Sequence, residues 1–310
     1  MTAITQLLGI KYPIFQGAMA QISKYPLAAA VSNAGGLGII ASEGMTAAEL
    51  QEEIIACKAL TDQPFAVNLM LMAPNIPELI EVIVAERVKI VTTGAGTPKK
   101  YMPELKSAGI KVIPVVPSAK LAKKMEVLGV DAVVAEGSEA GGHIGELSTM
   151  VLVPQVATAV KIPVIAAGGI ANGRGMAAAL ALGAEGIQMG TAFLLSEECP
   201  IPLNVKEFVA AAGELDTVVT GRNSVAPVRS IKNKMIEQYR QREKENIPFE
   251  ELEKLTLGSA RKAAAGDIEN GSVMAGQVSG SIHEIKSVKK IIEEVLAETK
   301  QTIKVLKFEI

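Results

Sequence analysis

Tryptophan is absent from the 310 residues, and aromatic residues together make up only 3% of them. A core without large rings has to be filled by Ala, Val, Ile, Leu and Met, which suits buried parallel strands covered by alanine-rich helices. Histidine occurs only as His143 and His283, and cysteine only as Cys57 and Cys199. Ligand-type side chains this scarce, with no paired spacing, exclude a zinc finger or a histidine-rich metal centre, and the cysteine usage suits a reducing cytoplasm. Neither sign of charge is in excess. With 31 Lys and Arg against 33 Asp and Glu, the net charge of −2 gives no electrostatic reason to expect nucleic acid or an anionic membrane as a partner. No apolar stretch reaches the roughly 18 residues of a membrane span, and the first residues lack the basic segment, apolar run and cleavage site of an export signal. The expectation is a soluble, cytoplasmic protein without a metal.

What the chain does have is a rhythm. Apolar, β-rich runs begin near Tyr12, Leu37, Phe65, Val88, Lys111, Asp131, Pro163 and Glu185. Helix-like segments fill the intervals at 25–33, 47–60, 76–86, 99–108, 118–128 and 150–160, and another follows the last-but-one run at 173–182. Several end in glycine at the position expected just past a helix, as at Gly109, Gly129 and Gly183. An open doubly wound sheet also alternates, but eight evenly spaced units without a long break predict an α/β fold of the (β/α)8 TIM-barrel type over residues 1–199. After Thr191 the rhythm stops. Pro200, Pro202, Pro227 and Pro248, with a charged run over 232–251, predict a smaller, mainly helical lid domain over residues 200–280. In residues 281–310, Ile285, Val288, Ile291, Ile292, Val295 and Leu296 recur at helical spacing, so a C-terminal helix is expected to pack back on the barrel.

Each distinctive polar or glycine-rich element falls just after a strand, at the end where barrel active sites form. Gln16-Gly17-Ala18-Met19-Ala20 follows the first strand, Asn68 sits in the third, and Thr93-Gly94-Ala95-Gly96 follows the fourth. Glu136 to His143, with Gly141-Gly142 beside the histidine, follows the sixth. The seventh ends in Gly168-Gly169 and the eighth in Gln188-Met189-Gly190-Thr191, the two loops that commonly hold a phosphate in this architecture. Either loop alone reads as a turn needed only for geometry; together they point to a phosphate site. The sixth loop has no cysteine for thiol chemistry, and no lysine lies in a strand-end motif to form a Schiff base. A phosphate-bearing organic cofactor is the remaining economical source of reactivity. His283 reads as an exposed helix-start residue, Cys57 as core, Cys199 as an inert thiol, and the methionines other than Met19 mostly as core filler.

The segments PIFQGAMA (13–20), AGGLGIIA (34–41), PFAVNLML (64–71), TTGAG (92–96), VIPVVPS (112–118), AEGSEAGGHIG (135–145), IPVIAAGGIANGRG (162–175) and GIQMGTAFL (186–194) resemble a known superfamily. It contains the flavin-dependent enoyl-(acyl-carrier-protein) reductase II and nitronate monooxygenase, and the resemblance resumes at GSVMAGQ (271–277). VIPVVPS, the EAGGHIG form of the histidine loop and GSVMAGQ are more similar to the reductase branch. The resemblance implies a non-covalent FMN with its phosphate on Gly168, Gly169, Gly190 and Thr191. Its ring would lie near Gly17, Ala18, Met19, Asn68, Glu136, Gly141 and Gly142, with Gln188 and Met189 in the same cofactor-binding set. His143 would face the substrate as the catalytic residue, and Arg229 would serve the lid and substrate. The implied reaction is reduction of a 2-enoyl thioester, carried on acyl carrier protein, by NADH or NADPH in fatty acid synthesis; a homodimer is one assembly consistent with it. The alternatives are a nitronate monooxygenase, in which the histidine is a base toward the nitroalkane carbon, and a flavin-binding protein without turnover. The chain departs from the usual pattern at Ala18 (GGMA in relatives), Ala192 (MGTRF) and in Ser224-Val225-Ala226-Pro227-Val228-Arg229, which lacks the histidine of a GHPVR-like stretch. These departures bear on substrate and nicotinamide specificity.

Overall fold

All eight apolar runs form parallel strands. In the computed structural model, which describes residues 2–222, 227–245 and 247–306, the first six are β1 (Ile14–Gln16), β2 (Gly38–Ala41), β3 (Phe65–Met70), β4 (Ile90–Gly94), β5 (Lys111–Val116) and β6 (Val133–Glu136). A short β7 (Gly142–His143) follows, then the last two barrel strands, β8 (Val164–Ala167) and β9 (Gly186–Met189). The order is β1-β9-β8-β6-β5-β4-β3-β2, and the two ends meet where Phe15 bridges Leu37. There Gln16 N–H donates to Leu37 O at 3.0 Å and Leu37 N–H to Ile14 O at 2.9 Å. The sheet is thereby a closed (β/α)8 TIM barrel.

Alternation along each strand fixes what fills the barrel. Phe15, Ile39, Ile90, Ile113, Val134 and Ile165 point inward into one cluster, while their neighbours Ile14, Ile40, Val91, Val112, Val133 and Val164 face the helices. Ile4 and Leu8, on the helix Ala3–Leu8, join the interior cluster, and Ile4 N–H donates to Glu185 just ahead of β9. That helix stoppers the N-terminal end of the barrel. The expected helix at 99–108 is divided into a 3-10 turn, Pro98–Lys100, and a helix, Met102–Ser107, because Pro103 lacks the N–H that continuation needs.

Beyond the barrel lie the helices Leu203–Ala210, Lys234–Lys244, Phe249–Thr256 and Ser259–Ala264. Between the first two the chain also forms β10 (Thr217–Thr220) and β11 (Val228–Ile231), an antiparallel pair whose free edge takes up β7. This sheet is an addition to the helical expectation for this region, built from four-residue runs too short to show a period. Ser224, Val225 and Ala226 lie outside the described residues. No helix among the described residues is long and apolar enough to cross a membrane.

The last helix, Val288–Val305, docks on the helix Gly173–Ala181. Gly173 permits the contact: a side chain there would run into Val295 O, the Thr299 amide and the Glu298 side chain. Glu298 accepts from the Gly173 amide at 2.7 Å and from Arg174 Nε at 3.0 Å. Gly173→Ala should therefore lower the free energy of unfolding by about 2 kcal/mol through overpacking. Urea denaturation checks this, and an unchanged midpoint would mean the two helices separate at no cost.

Candidate functional site

The interior cluster ends in polar residues where the strands reach the C-terminal rim, and above them opens a cavity of about 670 Å³. That is the size of a small-molecule site. Of the residues singled out from sequence, Ala18, Met19, Asn68, Glu136, Gly141, Gly142, His143, Gln188, Gly190 and Thr191 line it. Gly17, Met189, Gly168, Gly169 and Arg229 do not. Gly17 N–H donates to Met189 O at 2.8 Å, so these two join the ends of β1 and β9, with the Met189 side chain packed in the core. Gly168 and Gly169 form the turn after β8 with φ of 89° and 70°.

Three polar side chains at the cavity floor have unused hydrogen-bonding capacity. Asn68 Nδ2 donates to Thr92 Oγ1 at 2.9 Å and leaves its carbonyl free. The Gln188 amide and the Glu136 carboxyl have no side-chain hydrogen-bond partner among the described residues. Glu136 is enclosed by protein except where it meets the cavity, and burial pushes its carboxyl from 4.5 up to about 7. Backbone donors are also left over. The amides of Gly168, Gly169, Gly190 and Thr191 donate to no carbonyl or side chain among the described residues, and they follow β8 and β9, which are paired neighbours. Four N–H groups on adjacent loops are thus left with donor capacity, the kind of group an anion can accept from.

His143 projects into this space from a loop that is held throughout. Ala275 packs so closely on Gly141 that a Cβ there would lie 2.6 Å from the Ala275 carbonyl carbon. Gln277 N–H donates to Glu139 O, and Gly276 N–H to Thr191 Oγ1, each at 3.0 Å. The Glu139 carboxylate accepts from Thr149 N–H at 3.0 Å and so caps the helix Thr149–Ala159, whose N-cap Ser148 makes no side-chain bond. On the other edge, Val228 pairs with His143 and Arg229 with Gly142. The Arg229 guanidinium, expected at the substrate, instead lies in the protein with Nη2 3.0 Å from Ser138 O and Nη1 3.2 Å from Thr217 Oγ1. Burial and Arg222 lower its pKa while Glu139 opposes them.

Sequence reasoning missed several wall residues. Glu43, after β2, lines the cavity, as do Met70, Met72 and Met274 beside the expected Met19. Alternation along β3 places Met70 on the same side as Asn68, two residues earlier, which was a usable signal; nothing local marked Glu43. Cys57 and Cys199 are buried away from the cavity, and burial pushes their thiols up to about 12 and about 11. His283 is exposed, with Nδ1 2.9 Å from Ala210 O.

The sequence matches the family described as nitronate monooxygenase over residues 1–79 and 75–298. The chain belongs to the nitronate monooxygenase family. Members of this family are flavin-dependent oxidoreductases, and this chain is an oxidoreductase of that kind. Its fold is similar to the structure of FabK from Thermotoga maritima, with 50% identity, a TM-score of 0.96 and coverage of 99% of this chain and 98% of that one. A (3aS,4S,5R,7aS)-5-hydroxy-7a-methyl-1-oxo-octahydro-1H-indene-4-carboxyl-CoA dehydrogenase of Rhodococcus jostii is 43% identical over 76% of this chain and 67% of its own. A probable nitronate monooxygenase of Staphylococcus saprophyticus is 35% identical, covering 97% of this chain and 98% of its own. That alignment runs over 349 positions, so the staphylococcal relative carries insertions that the 310-residue chain lacks.

Two predictions follow from the loop and its floor. The Glu136 acid is neutral in both folded and unfolded chain below about pH 4.5; between there and about 7 the unfolded chain releases a proton that the folded one keeps, so stability falls across that window. Glu136→Gln removes this loss. In flavin-free protein the variant should gain up to about 3 kcal/mol on wild type between pH 4 and pH 8, measured by denaturation at both, and a constant difference would show an ordinary carboxyl. Arg229→Ala should cost about 2 kcal/mol and raise amide exchange over residues 137–145, because the Ser138 carbonyl loses a charged donor. Exchange unchanged in that segment would show that the loop stands without the brace.

Proposed function

We propose that this chain is an FMN-dependent reductase of 2-enoyl thioesters with NADH or NADPH as hydride source. The observation that carries the reading is the chemistry of the cavity. Among the described residues its lining includes two carboxylates and one imidazole but no Lys or Arg, and its outer wall is apolar, with Leu194, Ile201 and Val205 beside the methionines. A neutral acyl thioester suits such a wall, whereas a nitronate anion meets no fixed cation. Methionine is unbranched and adaptable, which fits an acyl chain of variable length. Two of the three relatives support a thioester, since one is named for a carboxyl-CoA and FabK has the same length and half the same residues.

The residues present fit FMN. The free amides of Gly168, Gly169, Gly190 and Thr191 would hold its phosphate. Asn68, Gln188 and Glu136 supply donors and acceptors for the polar edge of a ring that Ala18, Met19, Gly141 and Gly142 leave room for. Held there, FMN would supply hydride chemistry, the kind that reduces a 2-enoyl thioester at its β-carbon. His143, which lines the cavity, would give the α-carbon its proton, imidazole being a common general acid. Gly141, Arg229 and β11 hold the backbone that carries His143, and the wall of lid residues would keep water from the acyl chain. The carrier of the thioester is acyl carrier protein in this reading. The competing reading, a nitronate monooxygenase with His143 as base, draws on the family match and the staphylococcal relatives.

Purified protein reconstituted with FMN should be bleached anaerobically by NADH or NADPH and re-oxidised by a 2-butenoyl thioester. His143→Ala should retain FMN and lower thioester turnover by about 10²-fold. Bleaching by a nitronate with no response to either nicotinamide would overturn the reductase reading in favour of the monooxygenase.

A further inference from the structure

Glu43 is the one carboxylate of the cavity that neither the barrel floor nor the histidine loop accounts for. It follows β2 in a loop tied on both sides. Ser42 Oγ–H donates to Asn68 O at 2.7 Å, and Gln21 Nε2 donates to Glu43 O at 3.0 Å. Its half-buried side chain lines the cavity, and its carboxyl makes no hydrogen bond or ion pair among the described residues. The charged groups around it are few. His143 faces it from β7, Glu136 lies in the same cavity on β6, and Arg261 on the helix Ser259–Ala264 comes beside the neighbouring Gly44 and acts on Glu49. Burial raises its pKa and His143 lowers it.

We propose that Glu43 selects the charge of the substrate, admitting neutral acyl derivatives and repelling anions of the same shape. A carboxylate held without a partner in a half-buried wall acts on an entering anion at reduced dielectric, with no Lys or Arg in the lining to offset it. An acyl thioester carries no charge at its reacting end and is unaffected, whereas a free 2-enoate or a nitronate is disfavoured. The assignment rests on the thioester reading for its biological sense, but the selection itself concerns binding and is measurable without turnover.

The test uses the FMN-loaded protein as wild type, Glu43→Gln and Glu43→Asp, with two probes of one skeleton, 2-butenamide and 2-butenoate, bound under calorimetry. At pH 8 the Gln variant should bind 2-butenoate about 10-fold more tightly than wild type does, with 2-butenamide unchanged and the Asp variant close to wild type. Because only the charged carboxylate repels an anion, the gain should shrink on acidification, which a change of shape would not do. Equal effects on both probes, a gain independent of pH, or no binding of 2-butenoate to either protein overturns the proposal. Wild type that shows the selection yet fails to reduce a 2-butenoyl thioester would sink the reductase reading and leave the role of Glu43 standing.

Discussion

The site depends on one close approach, that of the Gly141 backbone to Ala275 and Gly276. It brings together a loop after β6, a loop after β9 and a segment 85 residues further along the chain, with Gln277 N–H on Glu139 O and Gly276 N–H on Thr191 Oγ1. Buried carbonyls and amides of this kind each cost about 1–3 kcal/mol if left unpaired, so the three segments must be in place together. Arg229 completes the arrangement from the far side by satisfying Ser138 O. The backbone that carries His143 is thereby held by all of these segments at once.

Beneath the loop, the barrel changes character over a single layer. Ile39, Ile113, Val134 and Ile165 fill the interior, and the next inward positions carry Asn68, Glu136 and Gln188. The same packing that makes the lower barrel dry leaves Glu136 poorly solvated, which is why its carboxyl rises to about 7. A floor of unpaired polar groups on a rigid sheet is costly to folding and useful to a ligand, since a bound heterocycle would meet groups already oriented.

The eight strands were legible because parallel strands buried on both faces read as unbroken aliphatic runs, and the glycine loops were legible because they end those runs. Other features carried no such mark. The helix Ala3–Leu8 is too short to display a period, and the hairpin β10–β11 consists of two four-residue runs that gain meaning only by pairing with Gly142 and His143. Arg229 was singled out for the lid and substrate, yet a guanidinium beside a lid reads equally as a substrate contact or a backbone brace, and the Ser138 carbonyl it braces is 91 residues away. Glu43 stands among ordinary turn residues, so its aim into the cavity depends on tertiary packing alone.

One departure from the family pattern bears on the charge of the cavity. Ala192, where relatives carry arginine, is buried in the short helix Thr191–Leu194 and contributes no charge to the rim. Glu43 and Glu136 remain without a neighbouring Lys or Arg in the lining. In the proposed reading the positive end of the site would be supplied by backbone amides at Gly168, Gly169, Gly190 and Thr191, whose reach is short and directional. A phosphate docked on those amides is held locally, while the rest of the cavity stays free of fixed cations. In the proposed reading, such a division would hold one anionic group at the edge of the barrel and leave the reacting space to neutral molecules, which is the requirement of a cofactor with a charged tail serving a substrate without one.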